Sequence, residues 1–143
     1  MTLISRLRRE ETGSTSVFAI CVAAVLMLLA GLCVDGGRVL NARATLTDTA
    51  EQAARAGAQK VQLGGLRQSG AVTLDPAAAR AAATTYLAST GSAGAASASV
   101  TTTGDTVTVT AEEDVPTFML SLVGMSTVHI TVTGSAEAES GIN

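Results

Sequence analysis

The hydrophobic pattern changes period along the chain, and each change marks an element. From Ser14 to Val34 no residue is charged, and Val17–Val34 (VFAICVAAVLMLLAGLCV) is apolar or small throughout. Crossing a hydrocarbon core of about 30 Å takes roughly 20 helical residues, so this run is long enough to span a membrane. Arg6, Arg8 and Arg9 precede it and Asp35 follows. The positive-inside rule then places the N-terminus in the cytoplasm and everything after Asp35 outside. Other readings compete. A cleaved secretory signal needs a shorter apolar core and a small-x-small site, and a lipoprotein signal needs a small residue where Leu32 precedes Cys33. The length favours an uncleaved signal anchor, or a prepilin-type segment trimmed on its cytoplasmic side. Cys21 and Cys33 lie about 18 Å apart along such a helix, too far to form a disulfide with each other.

Beyond Asp35-Gly36-Gly37-Arg38 the period becomes three to four. Val39, Ala42, Leu46, Ala50, Ala53, Gly57 and Val61 follow one another on one face, with Arg43, Asp48, Glu51, Arg55 and Lys60 mostly turned away. The spacing predicts a helix from about Ser16 to Leu63, roughly 70 Å long, with Gly36-Gly37 as a weak point at the membrane exit. Its outer face narrows to Ala50, Ala53 and Gly57, which invites close approach by another backbone. Gly64-Gly65 ends it and Leu66–Leu74 reads as a loop. Asp75-Pro76 opens a second helix as N-cap and first helical residue, which runs to Gly91. The Gly/Ala-rich stretch Gly91–Ala96 reads as a linker.

From Ser97 the period is two. Ala98, Val100 and Thr102 alternate with polar residues, Val107, Val109 and Ala111 do so after Gly104-Asp105, and Val128, Ile130 and Val132 form one face of a third run over Thr127–Ala138. A Gly-Asp pair between alternating runs predicts a tight hairpin. Between the second and third strands, FMLSLVGM after Val115-Pro116-Thr117 reads as a short apolar helix. The expected fold is α+β and pilin-like: a long N-terminal helix packed on a small antiparallel sheet. The expected organisation is a basic cytoplasmic leader over 1–13, a transmembrane helix over 14–34, a helical stalk over 35–63 and a small extracytoplasmic domain over 64–143.

Composition narrows the function. Aromatics are 2% of the 143 residues and the net charge is -3, a balance without the basic patch of a nucleic-acid binder. Catalysis needs a nucleophile with a base, paired carboxylates in a pocket, or a metal, and no such constellation stands out. His129 reads as a solvent-facing strand residue. Glu112-Glu113-Asp114 lacks the spaced oxygen ligands of a calcium loop. No enzyme activity, cofactor, metal or small-molecule substrate is expected. Phe118, Met119 and Leu122 belong to the largest apolar concentration outside the membrane run, a core cap or a docking segment for a partner or the membrane surface.

A basic leader, a glycine, a small polar stretch, an apolar helix ending Val-Asp-Gly-Gly-Arg and an alanine-rich helix ending Ala-Glu-Gln-Ala-Ala-Arg-Ala-Gly-Ala together resemble the TadE/TadG-like proteins. These are pseudopilin-like components of bacterial Tad (Flp-type) pilus systems. The resemblance is firmest over Arg9–Ala58. It implies a pilin-like protein inserted by its N-terminal helix, acting in assembly or initiation of a pilus, with pilus subunits, an inner-membrane platform and a prepilin peptidase as partners besides membrane lipid. Gly13 and Ser14 would flank the processing site. Asp35, Gly36, Gly37 and Arg38 would form the membrane-exit elbow, and Ala50, Ala53 and Gly57 the helix-packing face. The family's glutamate five residues after the glycine is absent, since Ser14-Thr15-Ser16-Val17-Phe18 follow Gly13. Its absence favours a minor or membrane-resident component over a major filament subunit. The alternative is a signal-anchored extracytoplasmic binding or sensing module unrelated to pili.

Overall fold

The computed structural model describes residues 4–60 and 73–138. Helix α1 (Ile4–Ala58) contains no proline and is rich in alanine and leucine, residues that lose little side-chain freedom in a helix. Threonines in its second half satisfy their hydroxyls on the helix itself, Thr47 on the Arg43 carbonyl at 2.8 Å and Thr49 on the Thr45 carbonyl at 2.9 Å. Gly36-Gly37, expected to weaken the helix, lies within the unbroken helical run. A Cβ built at either position would meet nothing within 4 Å.

The helix ends at Ala58, short of the expected Leu63. The Lys60 amide turns back to the Gly57 carbonyl at 3.0 Å, while the Lys60 carbonyl accepts from the Asp75 amide at 3.0 Å. The chain therefore leaves α1 to meet the start of α2 (Pro76–Thr90). The expected terminator Gly64-Gly65 and the loop from Leu66 lie, up to residue 72, outside the described residues. Helix α2 follows its sequence signals. One Asp75 carboxylate oxygen accepts from Ala77 and Ala78 amides at 3.0 Å each, and Gly91 closes the helix at φ 61°.

Strands β1 (Ser99–Thr103), β2 (Thr106–Pro116) and β3 (Thr127–Glu137) form an antiparallel sheet in the order β1-β2-β3. Gly104 at φ 63° supplies the left-handed conformation that the tight β1–β2 turn needs. The alternation places Val107, Val109, Ala111 and Val115 of β2 and Ile130 and Val132 of β3 inside. The segment between β2 and β3 contains a short helix as expected, of the 3-10 type and limited to Leu120–Val123.

The described residues fall into two compact units. One comprises α1 up to Gly37 together with Thr117–Ser126; the other runs from Arg38 to Pro116 and resumes at Thr127. In the second unit, the part of α1 expected to be a stalk belongs to a core: Leu46, Ala50, Ala53, Ala54 and Ala58 are buried with Ala79, Ala83 and Leu87 of α2 and the inner face of the sheet. Large side chains are scarce here, so the core is built by bringing backbones close together.

Glycines mark the tightest approaches. A Cβ at Gly134 of β3 would lie 2.5 Å from the Ala50 carbonyl carbon and from the Glu51 nitrogen, and one at Gly57 would lie 3.0 Å from the Ala79 oxygen. Gly94, expected in a linker, is also buried, and its Cβ would meet a Leu46 methyl at 2.5 Å. That stretch instead forms a 3-10 turn, Ala93–Ala95, packed against β2. The obstacle at Gly134 is backbone, which cannot swing aside as a side chain can. Gly134→Ala is therefore expected to lower unfolding stability by about 1–3 kcal/mol. Gly36→Ala, in open space within a helix, is expected to be neutral or stabilising. Denaturation of the detergent-solubilised chain tests both, and an unchanged Gly134→Ala variant would contradict the packing described.

Candidate functional site

Asp35 is the first charged residue after the apolar run, and a carboxylate there would ordinarily turn to water. It is only 1% exposed. One of its oxygens accepts the Phe118 amide at 2.9 Å; the other accepts the Met119 and Leu120 amides at 2.7 and 2.9 Å. These amides open the Leu120–Val123 turn, where a short helix has no internal partners for its first N–H groups. A side chain from a distant element thus fills the role that a local N-cap fills in α2. Hydrogen bonds to an ionised acceptor are the stronger kind, and the amides offset the cost of burying the charge.

One helical turn earlier, on the same face, Gly31 makes room for Met119: a Cβ there would fall 2.0 Å from Met119 Cγ. Val25, Leu28, Leu29 and Leu32 of α1 line a groove of about 340 Å³ with Met119, Leu120 and Val123. Further bonds close the turn on itself. The Thr117 amide donates to the Ser126 carbonyl, Leu122 to Met119, Gly124 to Ser121 and Met125 to Leu120, at 3.0–3.1 Å. The Thr117 hydroxyl donates to the Met125 carbonyl and the Ser121 hydroxyl to that of Phe118.

The sequence-derived candidates separate. Gly13 and Ser14 lie within α1, and Ser14 is exposed. Of the expected elbow, Asp35 turns inward while Gly36, Gly37 and Arg38 remain exposed. Ala50, Ala53 and Gly57 are buried within the chain. Their small size permits close approach by the chain's own strands and α2. In the apolar segment, Phe118 is 70% and Leu122 72% exposed, while Met119 is half-buried on Gly31.

His129 has partners that the sequence reading missed. Directly opposite it on β2 stands Asp114, whose carboxylate lies 2.8 Å from Nδ1, with Glu112 3.8 Å from Nε2. All three are exposed, which makes this a solvated cross-strand pair of small energetic weight. Among the described residues, no group of three or more His, Cys, Asp or Glu is arranged to hold a metal ion.

The Asp35 bonds make a direct prediction. Asp35→Ala leaves the Phe118, Met119 and Leu120 amides without their acceptor, at about 1–3 kcal/mol for an unsatisfied group. Hydrogen exchange at those amides in detergent micelles should then rise about tenfold or more. Asp35→Asn, which keeps one acceptor oxygen, should fall between. Exchange unchanged by Asp35→Ala would show that the carboxylate does not hold the turn.

Residues 13–60 match the family described as "Putative Flp pilus-assembly TadE/G-like", a segment that takes in the apolar run, Asp35 and the buried part of α1. No curated protein and no solved structure matches the chain. Among the described residues, one helix, near the N-terminus, is long and apolar enough to cross a membrane, with a mean hydropathy of 2.9 over its most apolar window. Residues 13–60, about a third of the chain, are therefore similar to the TadE/TadG-like pilus-assembly proteins, and the apolar helix within them fits a membrane anchor.

Proposed function

We propose that the protein is a minor pseudopilin-like component acting in assembly or initiation of a Tad/Flp-type pilus. The observation that carries this reading is that the matched segment coincides with the apolar helix and its Asp35 boundary. In this reading the N-terminus lies in the cytoplasm, α1 spans the cytoplasmic membrane and the sheet domain stands outside, following the arginines that precede the span. The exposed apolar side chains of α1, among them Phe18, Leu26 and Met27, would face lipid or the membrane helices of pilus subunits and an assembly platform. With Ala50, Ala53 and Gly57 buried in the chain's own core, partner contacts fall to this outer helix surface. A prepilin peptidase acting between Gly13 and Ser14 would release the charged leader. Lacking a glutamate five residues after Gly13, where Phe18 stands, the subunit is suited to staying in the membrane or entering the filament sparsely.

Deleting the gene should abolish or sharply reduce surface pili, with restoration by the intact gene. Normal piliation in the deletion strain would instead favour a signal-anchored module unrelated to pili. Alkaline phosphatase fused to the C-terminus should be active, and green fluorescent protein fused there through the same secretion route should be dark; the reverse pattern contradicts the orientation. The intact mass of protein purified from membranes reads processing directly. Loss of Met1–Gly13 is the expected result, and a full-length chain would exclude cleavage at Gly13.

A further inference from the structure

We propose that the turn Thr117–Ser126 is a membrane wedge: it sits within the hydrocarbon of the leaflet on the C-terminal side of the span, beside α1, and lipid acyl chains cover its outer face. The inference rests on the reading of α1 as a membrane anchor and adds a second membrane-embedded element to it.

The first argument is depth. Within this unit the turn lies along α1 from Asp35, which caps it, down to Val25 in the shared groove. Those ten residues correspond to about 15 Å of helix, half of a hydrocarbon core about 30 Å thick. Were the turn in water, the bilayer would have to begin below Val25. Only Gly13–Ala24 would then remain between the charged leader and the surface, about 18 Å of helix, far short of a span. The length of the apolar run therefore submerges whatever is packed against its last ten residues.

The second argument is chemistry. Lipid offers no hydrogen bonds, so an irregular segment survives at membrane depth only if its polar groups are satisfied within the protein. Much of this turn meets that demand through Asp35 and its own carbonyls. Asp35 takes the three amides at its start, backbone carbonyls take those of Thr117, Leu122, Gly124 and Met125, and the Thr117 and Ser121 hydroxyls return to carbonyls of the same turn. The outward side chains are those lipid would favour: Phe118, Leu122, Val123 and Met125 are 53–72% exposed. This apolar patch is continuous with the exposed apolar surface of α1. In water such side chains would be costly to leave uncovered. The wedge contains no charged residue between Pro116 and Thr127.

The test uses the full chain in phosphatidylcholine/phosphatidylglycerol vesicles, with Cys21→Ala and Cys33→Ala as background and one spin-labelled cysteine per variant. Leu122→Cys and Val123→Cys report on the wedge, Leu26→Cys on lipid and Thr101→Cys, exposed on β1, on water. Relaxation by oxygen relative to a water-soluble nickel chelate is expected to be several-fold higher at 122 and 123 than at 101, and to approach the value at 26. Water-like ratios at 122 and 123 with a lipid-like ratio at 26 would overturn the wedge and leave the anchor standing. Loss of access to both reagents at 122 and 123 would also overturn it, by showing that protein covers the turn. A water-like ratio at 26 would overturn the anchor itself, and the wedge with it.

Discussion

Backbone amides need hydrogen-bond partners wherever water is excluded, and in the N-terminal unit one carboxylate supplies them. The apolar run of α1 meets that need within the helix itself. The segment between β2 and β3 cannot, because a single 3-10 turn has too few internal partners. Asp35 supplies the difference. A buried carboxylate would be expensive alone; three amides offset that cost and lose their own penalty in the same contact. Gly31, one turn away, clears the space that lets Met119 settle on the helix. Aspartate and glycine at this spacing therefore act as one latch.

The second unit answers a different shortage. With aromatics at 2% of the sequence, it has few large side chains with which to fill a core. Packing is achieved by small residues that bring main chains together: Ala50, Ala53, Ala54 and Gly57 on α1, Ala79 and Ala83 on α2, Gly134 on β3. Each buries little apolar area, and close contact between backbones restores dispersion energy that larger side chains would otherwise supply. The cost is intolerance. A methyl group added where backbone faces backbone has nowhere to go.

Local signals in the sequence were read correctly where the physics is local. The cap at Asp75-Pro76, the stop at Gly91, the Gly104-Asp105 turn and the inward alternation of Val107, Val109, Ala111, Ile130 and Val132 each depend on residues a few positions apart, and all stand in the structure. What stayed hidden involves partners distant in sequence. Nothing near Asp35 announces that its acceptors serve Phe118–Leu120, and a glycine in the third strand does not reveal that α1 crosses behind it at Ala50. The small face Ala50-Ala53-Gly57 is legible as a surface that permits close approach, but a sequence cannot distinguish approach by its own strands from approach by another chain. The helix was extended to Leu63 because helix-forming residues continue; the turn of Lys60 toward Asp75 is a tertiary choice.

The likeness to pilus-assembly proteins covers only residues 13–60, and Asp35 within that segment is joined to a turn that the match does not reach. The existence of this latch is therefore the most informative fact to establish. Solid-state NMR of the full chain in lipid, labelled with ¹³C at the aspartate carboxyls and ¹⁵N at the methionine amides, measures it through dipolar recoupling. The account predicts one carboxyl-to-amide separation of about 4 Å, as a direct hydrogen bond requires, which disappears in Asp35→Asn at the labelled position. Absence of any such short distance in the native chain would contradict it.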